Sequence, residues 1–466
     1  MLIRFAPSHD VSRPAVPDAW AGQVTWRDGR LTLVGDDTGG RILYFRLLEG
    51  DLFLADDLGE LLDALRGAGA PLEISPESLS FLLHDGQVPY PSTIYRDVFA
   101  LAVGDRVDVM PAYGERSLTF GLEFPYFAHL SREDEKPDTK RLLELLAGAV
   151  SEALSAVQSS TLLLSAGKDS TALALAAAEA GRTDMECVTY AAEGDDEHVY
   201  AAGLCRRLGL AHRVVSLETC GEPLPDLLES FFEASPAPPG DLAQIATTVA
   251  VAADARKGAL IVEGSGNDMT FGYVPRSRDL LLQRWTLGRW AALRRMRALL
   301  PPWSPLNYGL RDPIEISWPG LRLRHTDTSR LFEGSFDTSC EWSRVRRHLD
   351  SIDPVDLRGL FRGRHFEIGS QKEKVSLAAR AFGSRSAHPY QDSRVIDYYF
   401  NLPERDRYDR DGPTNKLLLR RLLAERLGYD EAKTGPRGFN FDGATFIARY
   451  GDFVADELTS CPLFER

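Results

Sequence analysis

The chain has 466 residues, 44% hydrophobic and 26% charged, with a formal net charge of −14. That length implies roughly two to four domains, and the acidity argues against sequence-independent nucleic-acid binding. No apolar run approaches the roughly 18 residues of a membrane helix, the start Met1–Pro7 breaks off before a secretory signal forms, and five scattered cysteines (Cys187, Cys205, Cys220, Cys340, Cys461) make no metal spacing, so reduced thiols in a cytoplasm are expected.

The first 125 or so residues read as short strands punctuated by turns, an α+β pattern. Ile42–Leu47 and Leu52–Ala55 flank Glu49-Gly50-Asp51 as a hairpin. Leu58–Arg66 and Ser75–Leu83 carry helical periodicity, the second opening on the caps Ser75 and Ser78. Arg106–Met110 is another strand. His129–Asp138 combines charge, a proline and no apolar period, which marks a linker. Beyond it strands and helices alternate: helix Leu142–Val157, strand Thr161–Leu164, helix Thr171–Ala180, strand Glu186–Tyr190, helix Glu197–Leu208, strand His212–Leu217, helix Leu242–Ala255 and strand Ala259–Val262. This alternation predicts a doubly wound parallel sheet with ligands at the carboxyl ends of its strands. From about Arg276 onward the tail reads as helical and basic-rich, and Arg322, Arg324, Arg344, Arg346 and Arg347 form a solvated face or a steering patch for an acidic substrate. The expected division is 1–128, a linker at 129–138, and 139–466.

One segment carries the chemistry. In Leu162–Thr171 a buried strand ends in small and hydroxyl residues, and a helix starts directly after. Small side chains let backbone N–H groups approach an anion, and the helix amino end adds partial positive charge. Ser165, Ser170 and Thr171 can donate to phosphate oxygens; Asp169 makes sense there only beside a cation, which Mg²⁺ would supply. The loop is not a Walker A sequence, because Asp follows the Lys. The plain alternative is an ordinary strand-to-helix turn capped by Ser and Asp. A second Gly-rich loop, Gly264-Ser265-Gly266-Asn267-Asp268, follows another strand and weighs against that alternative. Tyr190 ends a strand beside the first loop, where it either borders an adenine or packs as a half-buried strand aromatic. The nine histidines form no zinc-binding spacing. A Ser165–His388 hydrolase pair lacks the G-x-S-x-G elbow.

Ser165-Ala166-Gly167-Lys168-Asp169-Ser170 resembles S-G-G-x-D-S, the pyrophosphate loop of asparagine synthetase-like ATP pyrophosphatases, with Ala166 for the first Gly. Asp196–Ala201 before Leu208–His212 is similar to that family's D-E-x-x-Y-A…L-G-x-x-H. The Asp268 loop resembles its second magnesium loop, His388–Asp392 the end of R-x-P-F-L-D, Lys416–Arg420 its K-x-x-L-R, and Arg437–Phe441 its closing R-x-K-x-G-F. Phe53–Leu58 parallels an N-terminal F-A-S-D corner, so the ordered matches run from about Phe53 to Phe441. The resemblance implies a glutaminase-like (Ntn-type) domain at 1–128 and an ATP-binding synthetase domain with a helical tail at 139–466. It implies a ligase that adenylates a carboxylate with ATP, releases pyrophosphate, and passes the acyl group to an amine. On it, Leu164, Ser165, Ala166, Gly167, Lys168, Asp169, Ser170, Gly264 and Gly266 meet ATP or its pyrophosphate, and Glu197 supports ATP or Mg²⁺. Asp169 and Asp268 hold magnesium, while Lys416 and either Lys433 or Arg437 supply catalytic cations.

Three departures refine the expectation. Glutamine-using members carry a catalytic Cys after the initiator Met; here Leu2 stands there and the first cysteine is Cys187, so the N-terminal domain is expected to be degenerate and glutamine not to be used. The magnesium loop has Met269 where asparagine synthetases have Glu, and Ser265 where lactam-forming members have Tyr, a weak base without help. Lys433-Thr434-Gly435-Pro436-Arg437 leaves open which cation closes the motif, and Arg cannot be deprotonated. The expected partners are a small-molecule or peptide carboxylate and an amine, with lasso-peptide cyclases and lactam synthetases the nearest relatives by these departures. An ammonia-dependent asparagine synthetase-like enzyme and a non-catalytic nucleotide-binding scaffold are the alternatives.

Overall fold

The computed structural model describes residues 1–5, 17–27, 30–112, 115–122, 135–191, 196–216, 223–237, 240, 242–274, 281, 285–287, 290–300, 304, 306, 309–310, 354–430 and 443–461. By contacts the chain separates into two compact units. The first joins Met1–Arg132 to Asp268–Gly369, and the second joins Glu133–Asn267 to Ser370–Arg466.

The first unit holds two four-stranded antiparallel sheets. Its strands are β1 (Leu2–Phe5), β2 (Val24–Arg27), β3 (Arg30–Val34), β4 (Leu43–Leu48), β5 (Asp51–Ala55), β6 (Phe99–Leu101), β7 (Asp105–Ala112) and β8 (Glu115–Leu122), in the orders β1-β5-β4-β6 and β2-β3-β7-β8. The β4–β5 hairpin closes on Glu49 and Gly50, both with positive φ (51° and 87°), which suits the right-handed twist of the strands it joins. Inward residues of both sheets share one core, among them Phe5, Leu33, Leu43, Phe45, Leu54 and Val107. Helices α1 (Leu58–Gly67) and α2 (Pro76–Asp85) open on side-chain caps. Asp57 accepts from the Glu60 N–H at 3.0 Å, and Ser75 Oγ from the Ser78 N–H at 3.2 Å.

The sequence reading kept 268–369 with the downstream domain, whereas its contacts lie with the N-terminal strands. The reason is a second apolar core in which Ile42, Phe81, Ala100 and Val103 meet Met269, Leu360, Phe361 and Ile368. Helix Pro354–Phe361 runs into a π-helical segment, Arg362–Lys372. The wider π turn is rare at such length and tends to accompany function. His365 on it is stacked between Phe361 (centroids 5.4 Å apart) and Tyr90 (5.8 Å), and its Nδ1 accepts the Tyr90 N–H at 3.4 Å. Burial, then the neighbouring Arg364 charge, hold this imidazole well below its ordinary pKa. A histidine that stays neutral when folded but titrates near 6.5 when unfolded costs stability on acidification. Urea midpoints are therefore expected to be level above about pH 7.5 and to fall below pH 6.5, with this one group contributing up to about 1.4 kcal/mol per pH unit. His365→Asn should flatten that slope, and an unchanged slope would assign the acid sensitivity elsewhere.

The second unit is built on five parallel strands: β9 (Ser160–Leu163), β10 (Glu186–Tyr190), β11 (Ala211–Val215), β12 (Leu260–Val262) and β13 (Arg385–Ala387), in the order β11-β10-β9-β12-β13. The strands called from sequence agree to within a residue or two. The edge strand β13 lies in the tail read as helical. Its three residues, Arg-Ser-Ala, carry no apolar signal, and only pairing with β12, Val262 opposite Ala387, makes them a strand. Around the sheet lie α3 (Thr139–Ala153), α4 (Lys168–Glu179), α5 (Glu197–Leu208), α6 (Leu224–Glu233) and α7 (Leu242–Asp254). Ala172, Ala174, Ala176 and Ala177 of α4 are fully buried, so small side chains let this helix pack closely. The chain leaves β9 toward β10 on one side and returns through β12 on the other, so the loop after β9 sits at the switch point where open α/β sheets bind ligands. Among the described residues no helix is long and apolar enough to cross a membrane.

Candidate active site

The loop after β9 is tied to itself by its own hydroxyls. The Ser165 N–H donates to Ser170 Oγ (3.1 Å), the two Oγ atoms lie 3.0 Å apart, and the Gly167 N–H donates to Ser165 Oγ (3.1 Å). Leu164 and Ala166 are fully buried, and the Ala166 carbonyl accepts the Tyr429 hydroxyl at 3.1 Å. Gly167 is the N-cap of α4, with Lys168, Asp169 and Ser170 in its first turn. The loop thus forms a strand–loop–helix corner, with amide groups at a helix amino end.

Lys416 joins this corner from far along the sequence. It is 3% exposed and precedes helix Leu417–Leu427 with φ 59°, a left-handed conformation strained for any residue with a Cβ. Its Nζ donates to Asp169 Oδ2 at 2.9 Å and to Asn267 Oδ1 at 2.6 Å, while Asn267 Nδ2 donates to Asp169 Oδ1 at 3.0 Å. Both oxygens of Asp169 are therefore held, and its side chain keeps 31% exposure. The Tyr390 hydroxyl donates to the Asp169 carbonyl at 2.9 Å; burial, then the Asp169 charge, push its pKa well above the usual phenol value.

The second Gly-rich loop packs on the first. A Cβ at Gly264 would lie 3.5 Å from Asp169 Cβ, and one at Gly266 would meet Gln391 Cγ at 2.7 Å, with φ at +102°. Gly266→Ala should therefore cost about 1–3 kcal/mol through backbone strain and displacement of Gln391. Thermal unfolding would register it, and a Tm within a degree of the parent would mean the loop relaxes freely.

Other expected residues fall elsewhere. Tyr190 belongs to the hydrophobic core of its unit, beside Leu163, Val188, Val215 and Ile245, the packing alternative of the sequence reading. Glu197 is 2% exposed in the first turn of α5. Asp268 lies in the first unit, where its carboxylate receives Arg362 Nε at 2.5 Å and its N–H donates to Glu367 at 2.7 Å. Arg362 lies between the rings of Tyr273 (4.3 Å) and Phe366 (4.5 Å). Lys433 and Arg437 lie outside the described residues. The sequence reading missed Asn267 as the link between Lys416 and Asp169, although it stands in a loop that reading quoted. It missed Arg362 and Tyr390 as partners because nothing in local sequence pairs residues roughly a hundred or two hundred positions apart.

The asparagine synthase family matches residues 141–432, more than half of the sequence. The chain belongs to the asparagine synthase family. Membership places it among ATP-using ligases that form C–N bonds as amides. A solved structure, the NH3-dependent NAD synthetase from Campylobacter jejuni subsp. jejuni NCTC 11168 in complex with the nitrate ion, is 15% identical over 52% of this chain and 96% of its own, with a TM-score of 0.23, too low to bear on the site. No curated protein matches.

Members of the family use ATP with Mg²⁺. Asp169 is partly exposed, but Lys416 and Asn267 hold its two oxygens, and at least one of these bonds would have to yield to such an ion. Asp268 is engaged by Arg362, whose guanidinium would have to yield. Among the described residues no three His, Cys, Asp or Glu side chains converge on a metal position.

Proposed function

We propose that this chain adenylates a carboxylate with ATP, releasing pyrophosphate, and passes the acyl group to an amine without drawing nitrogen from glutamine. The observation that carries this reading is the Lys416–Asp169–Asn267 cluster at the head of a hydroxyl-lined loop at the sheet's switch point. Within it, the amides of Ser165–Ser170 bind pyrophosphate, Gly264 and Gly266 let backbone approach the nucleotide, and Lys416 neutralises charge that builds on the phosphates. Asp169 and Asp268 are the carboxylates for Mg²⁺, which when bound screens the triphosphate. Lys433 or Arg437 serves as the late cation, and Glu197 and Tyr190 act from behind the nucleotide as buried supports.

Glutamine independence draws support from the sequence, which has no cysteine before Cys187. Residues 1–128 then act as a glutaminase-like domain without its nucleophile. Met269 in place of a Glu draws the substrate away from aspartate and toward the carboxylates and amines of specialised metabolism, ring-closing peptide or lactam chemistry included.

The test is to incubate the purified protein with Mg²⁺ and ATP but no glutamine. Single amino acids with ammonia, and peptides bearing both a carboxylate and an amine, are then screened for release of AMP and pyrophosphate. Substrate-dependent AMP that disappears in Asp169→Ala is expected. ADP in place of AMP would overturn adenylation. ATP binding without any turnover would favour the scaffold.

A further inference from the structure

Two polar side-chain atoms on one turn of the second unit are buried without a hydrogen-bond partner: His388 Nε2 and Gln391 Nε2. The turn follows β13, with 5% exposure for the His388 side chain and 8% for Gln391. Buried polar atoms are usually paired, and an orphan costs about 1–3 kcal/mol, so two on one turn mark a place where a bound substrate can supply the partners. The other imidazole nitrogen, Nδ1, lies 3.3 Å from Glu263 Oε2. Glu263 also accepts the Ser265 N–H (2.9 Å) and hydroxyl (2.8 Å), which fix its carboxylate. Burial, aided by the Lys372 charge, holds His388 below its ordinary pKa against the pull of Glu263. The ring is then neutral, with Nδ1–H turned to Glu263 and the lone pair of Nε2 open.

The turn belongs to the site already described. Tyr390, between the two orphans, donates to the Asp169 carbonyl, and Gly266 packs on Gln391. We propose that Glu263 and His388 form the proton-accepting pair of the amide-forming step, with the Gln391 amide donating to the acyl substrate. The step rests on the acyl-adenylate reading. The amine nitrogen bonds to the acyl carbon, and the bond from that carbon to the phosphate oxygen breaks. AMP departs with that electron pair, and the nitrogen's proton passes to Nε2. Glu263 stabilises the resulting imidazolium, as Asp does for His in other proton-transfer pairs. Entry of the amine needs the Gly264–Gly266 loop to shift, which its glycines permit. This gives Ser265 a role as the brace of Glu263 rather than as a base itself.

The two half-reactions separate this inference from the reading beneath it. Exchange of labelled pyrophosphate into ATP reports adenylation, and product appearance in a single turnover reports amide formation. His388→Asn is expected to slow amide formation about 100-fold while exchange falls only a few-fold, and to remove the acid limb of the amide-forming pH profile. Glu263→Gln should move that limb to lower pH, since the carboxylate raises the imidazole's affinity for a proton. Equal losses in both half-reactions, or an acid limb that survives in His388→Asn, would overturn the pair. If the wild-type protein shows no exchange with any substrate, the adenylation reading falls instead. An NMR titration of the His388 ring still decides its protonation: an imidazole protonated at neutral pH could not accept the proton, and the inference would fail with it.

Discussion

Lys416→Met is expected to lower substrate-dependent AMP release about 10²–10³-fold, the usual loss when a preorganised charge at a reacting group is removed. The side chain reaches its position at a cost, a left-handed backbone at φ 59° and a nearly complete loss of solvent contact. Such strain persists where the surroundings fix it for use. Its ammonium donates to Asp169 and Asn267, and removing it takes the positive charge from beside a carboxylate and an amide oxygen. A stability loss of roughly 1–3 kcal/mol should accompany the loss of activity, less than for a sealed pair because Asp169 is partly exposed. The double change Lys416→Met with Asp169→Asn isolates the structural role, since Asp169 is itself needed for AMP release in the reading above. It should restore most of the stability by removing the unpaired charge and none of the activity. Recovery of AMP release in the double variant would mean that Lys416 serves only to neutralise Asp169. Lys416→Arg is expected to fail as well, since a planar guanidinium cannot present one compact charge to both partners.

The parallel half of the fold was legible because its central strands β9, β10 and β12 are almost wholly buried and alternate with helices. β10 and α5 match the sequence reading at both ends, and Leu162–Leu164 followed by small residues marks the switch-point loop. β1, β2, β3 and β8 went unread because antiparallel strands with one wet face, such as Arg30–Val34, mix polar and apolar residues over too few positions, and β6 is only three residues long. β13 and the grouping of Asp268–Gly369 with the N-terminal strands are decided by pairing and packing at long range. The same limit holds in the site. The loops and Lys416 announced themselves by type and order, while the bonds that make them one cluster span 98, 149 and 247 positions. Asp268 shows the converse. Its sequence context resembles that of a metal carboxylate, and the fold adds an arginine partner that no local pattern foretells.

The largest stability effect is expected at another such long-range pair, in the first unit. Arg364 donates to the Val103 carbonyl (2.7 Å) and to Asp105 Oδ1 (2.5 Å), and Asp105 Oδ2 accepts the Ala102 N–H (2.8 Å). Both side chains are 4% exposed. Desolvation raises the Asp105 pKa above 3.8 even with Arg364 opposing it. Arg364→Met leaves a sealed carboxylate with one backbone donor, and should cost roughly 3–5 kcal/mol at neutral pH. The sign of the pH dependence follows from the carboxyl group. With its folded pKa raised further in the variant, the native state binds the proton more readily than the unfolded chain, so stability declines as pH rises through that window. The deficit of Arg364→Met against the parent should therefore shrink on acidification toward pH 5, opposite in direction to the His365 effect. Adding Asp105→Asn should recover most of the loss at pH 7.5, because a neutral amide is cheaper to bury than a charge. Urea unfolding at pH 5 and 7.5 measures all three. A deficit below about 1 kcal/mol, or one that grows on acidification, would show that the carboxylate finds another partner when Arg364 is gone.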